Sequence, residues 1–212
     1  MRKSLLPALA LCGALAWSGG AAACNGSNVI LADNFADDSG GWEPDTHMKF
    51  AAPALVVRLV KGQAGLPELN SAFLVRNGDI CMETVMPNAP DLNPAFGVMF
   101  WATDYQNFTM VLFSASGKVT MWRKNEGKWL TVFSVDSPAV KGAPGSANTI
   151  RVTFNGNLVT TYINGTKVRD QRAQAPATDQ RFGFFIQVDK PVEAEAGVDF
   201  VIPSFKITNP PG

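Results

Sequence analysis

Apolar residues alternate with other residues along many short segments of this sequence, with a period of two. This period places every second side chain on one face of an extended strand, whereas a helix repeats every 3.6 residues. The segments are rich in Val, Ile, Phe and Thr, and they cover residues 54–60, 72–76, 80–86, 96–102, 107–113, 118–123, 128–135, 149–154, 158–163, 182–188 and 198–207. About a dozen short strands divided by turn residues predict an all-β sandwich or barrel.

Asn-Gly dipeptides lie between several of these segments, at 155–156 and 164–165. Asn and Gly tolerate positive φ angles, so these pairs favour the tight turns of β-hairpins. Ser-Gly at 116–117 and Asn-Glu-Gly at 125–127 have a similar character. We therefore predict a meander of antiparallel hairpins from about residue 96 to residue 168.

The first 23 residues have the pattern of an export signal. Arg2 and Lys3 precede an apolar stretch over 5–17, and three alanines at 21–23 supply the small residues before a cleavage site. The apolar stretch is short for a membrane span, and no later segment reaches about 18 apolar residues, so no transmembrane segment is predicted. We predict a signal peptide over 1–23 and one β-sandwich domain over 24–212, in an exported protein that is periplasmic or secreted.

The sequence contains three cysteines, and Cys12 lies in the predicted signal peptide. Cys24 and Cys81 would remain in an oxidising compartment, where an even number of cysteines favours a disulfide. The alternative is a lipoprotein in which Cys24 is the first mature residue and carries lipid. Ala21 stands three positions before Cys24, where such a signal usually has Leu. We predict the Cys24–Cys81 disulfide and keep lipidation of Cys24 as the alternative.

Charge and histidine content exclude several classes of function. With 18 basic and 18 acidic residues, the chain has no electrostatic reason to bind nucleic acid. A single His excludes a metal site built on two histidines, and no G-x-S-x-G turn is present for a serine nucleophile. Glu193 and Glu195 are the nearest approach to a pair of catalytic carboxylates, but they fall in a predicted loop. No catalytic residue is therefore assigned.

Acidic residues cluster near the N-terminus, at positions 33, 37, 38 and 45. Carboxylate oxygens at close spacing can hold Ca²⁺. Asp33 and Asp199 are the candidate ligands, because first and last strands are often neighbours. However, turn-forming Asp residues explain the cluster without a metal. No cofactor or metal is predicted, and Ca²⁺ stays an alternative.

Several motifs resemble those of concanavalin A-like and laminin G-like jelly-roll domains, and they cover most of residues 29–207. They are LADNF at 31–35 with GW at 41–42, GVMFW at 97–101 with DYQNF at 104–108, NTIRV at 148–152, YING at 162–165, FGF at 182–184, VDF at 198–200 and FKI at 205–207. Within this group, the sequence is similar to bacterial domains of the 3-keto-disaccharide hydrolase type. The segment 121–129 resembles small exported proteobacterial members.

The resemblance implies a two-sheet antiparallel jelly roll, a fold that lectins, carbohydrate-binding modules, glycosidases and adhesion domains share. We predict a non-catalytic binding module whose partner is a glycan. Two alternatives stay open: a glycoside hydrolase of the 3-keto-disaccharide type, and an envelope domain that binds another protein. The sequence specifies no oligomeric state.

Aromatic residues crowd into the hairpins between residues 101 and 129. Trp and Tyr rings can stack on the apolar C–H face of a sugar, and Arg can donate a fork of N–H groups to its oxygens. Trp122 shares a strand face with Thr120 and Lys124, so this face is predicted to be polar and open. Trp101 and Trp129 are predicted to pack in the core. The predicted ligand-binding residues are Tyr105, Trp122, Arg123 and Arg151.

Overall fold

A computed structural model describes residues 24–43 and 46–211, and it contains two antiparallel sheets, one of eight strands and one of six. The strands are β1 (Val29–Asp33), β2 (Met48–Phe50), β3 (Leu55–Leu59), β4 (Gly65–Leu69), β5 (Gly78–Val85), β6 (Ala95–Asp104), β7 (Asn107–Ser114), β8 (Lys118–Asn125), β9 (Lys128–Asp136), β10 (Ala147–Asn155), β11 (Leu158–Ile163), β12 (Thr166–Arg172), β13 (Arg181–Gln187) and β14 (Val198–Thr208). The predicted sandwich of two antiparallel sheets is therefore confirmed. The predicted signal peptide lies outside the described residues.

The eight-stranded sheet has the order β12-β11-β10-β5-β14-β3-β2, and β1 also pairs with β14. β14 pairs with β3 through its first half and with β1 through its second half, so the first and last strands are neighbours. The six-stranded sheet has the order β4-β13-β6-β7-β8-β9. Within the described part of the chain, no helix is long and apolar enough to span a membrane.

The predicted meander divides between the two sheets. Hairpins join β6 to β9 in the six-stranded sheet, and further hairpins join β10 to β12 in the eight-stranded sheet. The segment between β9 and β10 contains Pro138 and Pro144, which cannot supply ladder N–H groups, and it carries the chain from one sheet to the other. Asn164 and Gly165 have φ angles of 50° and 79°, as the predicted tight turn requires.

Phenylalanine side chains fill the space between the sheets. Because alternate residues of a strand point to opposite faces, each strand contributes every second residue to this core. The fully buried phenylalanines are Phe35, Phe96, Phe100, Phe113, Phe154, Phe182, Phe184, Phe200 and Phe205. Burying one such side chain stabilises the fold by roughly 1.5–3 kcal/mol.

The predicted strand over 72–76 is wrong, whereas the other predicted segments coincide with strands. The side-chain oxygen of Asn70 accepts hydrogen bonds from the backbone N–H groups of Ala72 and Phe73, and this local turn competes with sheet pairing. Only a single bridge, between Val75 and Gln180, forms there. β2 and β4 were not predicted from the sequence. β4 contains a proline, which it tolerates as an edge strand.

Cys24 and Cys81 form the predicted disulfide, with their Cα atoms 5.7 Å apart. The backbone N–H of Asn25 donates a hydrogen bond of 2.9 Å to the buried carboxylate of Asp79. These two contacts attach the segment before β1 to β5. A sulfur in this disulfide is not available for lipid, so the pairing favours the disulfide over the lipoprotein alternative.

We expect the double variant Cys24→Ser/Cys81→Ser to lose about 4 kcal/mol of its free energy of unfolding, because the disulfide closes a long loop in the unfolded chain. The sequence separation of the two cysteines is 57 residues. Urea unfolding measures the loss, and the reduced wild-type protein is the matched control. Equal stability of the oxidised wild type and the double variant would contradict this expectation.

Candidate functional site

The outer face of the six-stranded sheet carries the residues that alternate with the core positions. Cross-strand pairing aligns these residues in rows. One row contains Leu69, Gly183, Met99, Met110, Trp122 and Thr131, and the next contains Pro67, Phe185, Gly97, Leu112, Thr120 and Ser134. A third, shorter row contains Phe108, Lys124 and Trp129. The pairing thereby brings residues that are distant in sequence onto one surface.

This outer face is apolar to an unusual degree. Met99, Met110, Leu112 and Phe185 are each less than a tenth exposed, and they form a hydrophobic cluster separate from the core between the sheets. An antiparallel sheet commonly presents polar residues on the face that does not contact the core. We call these four residues the apolar floor. An apolar surface on the outer face of a sheet often marks a binding site.

A groove of about 410 Å³ lies on this face, and we call it the aromatic groove. Its lining residues are Ala64, Gly65, Met110, Trp122, Trp129, Phe185, Gln187 and Val188. Four strands of the sheet and the edge strand β4 contribute to it, so its shape depends on their register. Among these described residues, Gln187 supplies the one side-chain amide, and none is Asp or Glu.

Trp122 and Trp129 form two walls of the aromatic groove at nearly a right angle. Their ring centres are 6.0 Å apart and their planes differ by 80°. Trp129 also packs edge to face against Phe108 and Phe185, at 5.5 and 6.3 Å, although 44% of its surface is exposed. Edge-to-face contacts fix the orientation of an aromatic ring. Trp129 therefore presents a large exposed surface in a defined orientation.

Lys124 connects the aromatic groove to the turn between β6 and β7. Its Nζ lies 5.2 Å from the centre of the Trp129 ring and 5.8 Å from that of Phe108. The same ammonium donates a hydrogen bond of 2.9 Å to the backbone oxygen of Tyr105. Burial raises the pKa of the Tyr105 phenol, and the negative charge of Glu68 raises this pKa further. The Tyr105 side chain is half-exposed, and Glu68 is not a residue of the aromatic groove.

The prediction that Trp129 packs in the core is wrong, and a bulge in β9 is the reason. Strict alternation would place Trp129 and Phe133 on the same face. However, the adjacent β8 residues 121 and 122 pair with Phe133 and Thr131, which are two positions apart. The extra residue, Val132, reverses the alternation. Phe133 consequently enters the core while Trp129 faces outward.

Arg123 does not reach the aromatic groove, although it directly follows Trp122. Adjacent residues of a strand point to opposite faces. Arg123 lines a separate cleft, where its guanidinium donates a hydrogen bond of 3.4 Å to the amide oxygen of Gln174. The structure therefore brings Trp122 to the aromatic groove, whereas Tyr105 and Arg123 are not among the residues that line it.

Arg151 lies in the other sheet, on β10, and the structure does not support its predicted role in ligand binding. The side chains of Arg151 and Asp79 form a buried ion pair, with two hydrogen bonds of 2.8 and 2.9 Å. The guanidinium also lies 4.9 Å from the centre of the Tyr162 ring. A buried carboxylate requires such a partner. Arg151 therefore has a structural role beside the disulfide.

The two aspartates proposed for Ca²⁺ have different partners. The Asp33 carboxylate accepts hydrogen bonds from the backbone N–H of Phe35 at 2.7 Å and from the indole N–H of Trp42 at 2.8 Å. Asp199 forms two hydrogen bonds with Arg58, which hold the pKa of its carboxyl below the usual value. Within residues 24–43 and 46–211, one group of three possible metal ligands occurs, and it consists of Cys24, Asp79 and Cys81, whose sulfurs form the disulfide.

Solved structures with the same fold include proteins that bind or cleave carbohydrates. The carbohydrate-binding module CBM66 from Bacillus subtilis aligns with a TM-score of 0.58 and 13% identity, over 80% of this chain and 92% of that module. A β-glucanase from Bacillus licheniformis aligns with a TM-score of 0.62 and 10% identity, over 86% and 98%. LamA from Zobellia galactanivorans, in complex with laminaritriose and laminaritetraose, aligns with a TM-score of 0.60 and 11% identity, over 86% of this chain and 99% of that protein.

These similarities establish a concanavalin A-like jelly roll. At such low identity they speak to the fold alone. The sequence matches no protein-family model and no curated protein.

We expect Arg151→Met to lower the free energy of unfolding by about 3–5 kcal/mol, because it leaves the Asp79 carboxylate buried without its guanidinium partner. The matched control is Arg58→Met, which removes an exposed ion pair with Asp199 and is expected to cost much less, because water screens exposed charges. Urea unfolding of both variants makes the comparison. If Arg151→Met is no less stable than Arg58→Met, the structural role of Arg151 is contradicted.

Proposed function

We propose that this protein is an exported, non-catalytic binding module whose ligand is a carbohydrate, held in the aromatic groove. The observation that carries this proposal is the pair of Trp122 and Trp129, fixed at right angles over an apolar floor and open to solvent. The ring of a sugar has one or two apolar faces of C–H groups, which an indole face can cover. The second indole would contact the edge of the same ring.

Polar groups next to the indoles complement this apolar contact. Gln187 lines the aromatic groove itself. Thr120 and Ser134, whose hydroxyl oxygens are 3.1 Å apart, lie in the row adjacent to Trp122 on the same face. Hydroxyl and amide groups can both donate and accept hydrogen bonds, as sugar hydroxyls require. A small-molecule site usually combines a few polar groups with a largely apolar surface.

The comparisons add support of a general kind. A carbohydrate-binding module and glucanases share this jelly roll. The disulfide is consistent with export, since disulfides persist in oxidising compartments. A periplasmic or secreted location is part of the proposal.

Glycoside hydrolysis, which the resemblance to 3-keto-disaccharide hydrolases suggests, is less well supported by the aromatic groove. Most glycosidases use two carboxylates on opposite sides of the scissile bond. The described residues that line the groove include no carboxylate. The site thus has the groups for holding a sugar and lacks those for protonating a leaving group, so we propose binding.

We expect Trp122→Ala and Trp129→Ala each to weaken oligosaccharide binding at least tenfold, about 1.4 kcal/mol, because each removes one wall of the groove. The probe is a panel of soluble neutral oligosaccharides that includes laminaritetraose, and the measurement is isothermal titration calorimetry. Leu158→Ala is the matched control, since Leu158 is 45% exposed on the other sheet.

Two results would contradict the proposal in different ways. Wild-type affinity in both Trp variants would show that the sugar binds elsewhere. Failure of the whole panel to bind, with capture of a protein through the same face, would assign the apolar surface to a protein partner instead.

A further inference from the structure

A second cleft, of about 460 Å³, opens at one end of the six-stranded sheet, and we call it the hairpin cleft. Its walls are β6, β7 and β8 together with the segment that connects β12 to β13. Its polar lining residues are Thr103, Asn107, Thr109, Arg123, Lys124, Asn125, Gln174 and Gln180. Amides, hydroxyls and cationic groups dominate this lining, in contrast to the aromatic groove.

The backbone of β6 is irregular where it lines the hairpin cleft. Trp101 has a φ of 53°, a region that bulky L-residues rarely adopt. The pairing of β6 also shifts register on both of its sides, between Phe100 and Asp104 against β7 and opposite Arg181 to Gly183 of β13. Bulges and positive φ angles cost free energy, and they concentrate at binding sites, where they redirect side chains.

Tight packing holds Trp101 in this strained conformation. Its indole N–H donates a hydrogen bond of 2.9 Å to the backbone oxygen of Arg76. Its ring packs against Phe100 and Phe154 at 5.0 and 5.9 Å. The side chain is 7% exposed, as the predicted core role requires. The small exposed part of this ring gives the hairpin cleft an apolar wall.

Arg123 is the cationic group that the hairpin cleft offers to a ligand. The guanidinium is exposed, forms a single long hydrogen bond to Gln174, and has no carboxylate within ion-pair distance among the described residues. Most of its five N–H donors are therefore unengaged. The ammonium of Lys124, by contrast, is turned toward the backbone oxygen of Tyr105 and the rings of the outer face.

Asp104, the acidic residue beside the cleft, is engaged within its own turn. Its carboxylate accepts hydrogen bonds from the backbone N–H of Gln106 at 2.7 Å and from the Asn107 amide at 3.0 Å. The hydrogen bond from Gln106 is the main reason that the pKa of Asp104 lies below its usual value. This carboxylate is not among the lining groups, so Arg123 is left without a counter-ion.

We propose that the hairpin cleft is a second binding site, and that it holds the carboxylate-bearing ring of an acidic saccharide. The planar fork of Arg123 would pair with the carboxylate, which Arg binds in a bidentate geometry. The amides of Gln174 and Gln180 would bind ring hydroxyls, and the wall formed by Trp101 would contact ring C–H groups. The site does not depend on the aromatic groove, because Trp122 and Arg123 point to opposite faces of β8.

The test is a titration of ¹⁵N-labelled mature protein with glucuronate, glucose and acetate, followed by NMR. The indole N–H signals of Trp101 and Trp122 report on the two sites separately. We expect glucuronate to shift the Trp101 signal and to bind at least tenfold more tightly than glucose or acetate. Arg123→Gln should abolish this preference, Arg123→Lys should restore part of it, and Trp122→Ala should leave it unchanged.

The matched control is Arg172→Gln, which removes the same charge from an exposed position on β12. Three results would overturn the proposal: equal affinity for glucuronate and glucose, equal affinity for glucuronate and acetate, or the same loss of affinity in Arg172→Gln as in Arg123→Gln. None of them bears on the aromatic groove, whose failure would appear as unperturbed Trp122 signals with neutral oligosaccharides.

Discussion

Face-to-face packing of two sheets is the constraint on which the rest of this structure depends. Burial of the phenylalanine core requires each strand to keep every second side chain inward. The remaining side chains then point to the outer faces of the sheets. Trp122, Met110 and Met99 meet there because their strands are paired in register. The position of Trp122 over Met99 and Met110 is thus a consequence of the same pairing that builds the core.

At two places, the strands depart from the strict alternation of inward and outward side chains. The bulge in β9 moves Trp129 out of the core, where it meets Trp122. The irregular pairing of β6 near Trp101 opens the end of the sheet beside Arg123. Regular pairing supplies the scaffold, and local departures from it create the two cavities. A β-sandwich can acquire binding sites in this way without a change in fold.

Most of the fold could be predicted from the sequence because alternation and turn residues are local signals. The disulfide partners followed from the cysteine count. The site could be predicted only in part. Alternation along β8 predicts that Trp122 lies on an open face with Thr120 and Lys124. The face on which Trp129 lies depends instead on the bulge in β9, which no residue type in the sequence indicates. The ion pair of Arg151 could not be predicted, because its partner, Asp79, lies far away in sequence and meets it only through the pairing of β5 with β10.

In the proposed function, a sugar ring rests against Trp122 and Trp129, in the corner that the two indoles form. The most direct measurement is the set of intermolecular nuclear Overhauser effects between a bound neutral oligosaccharide and the indole protons of the mature protein. We expect contacts from sugar C–H protons to both indoles and none to Trp42, which is buried in the core. Contacts confined to another surface, with Trp122 and Trp129 silent, would contradict it.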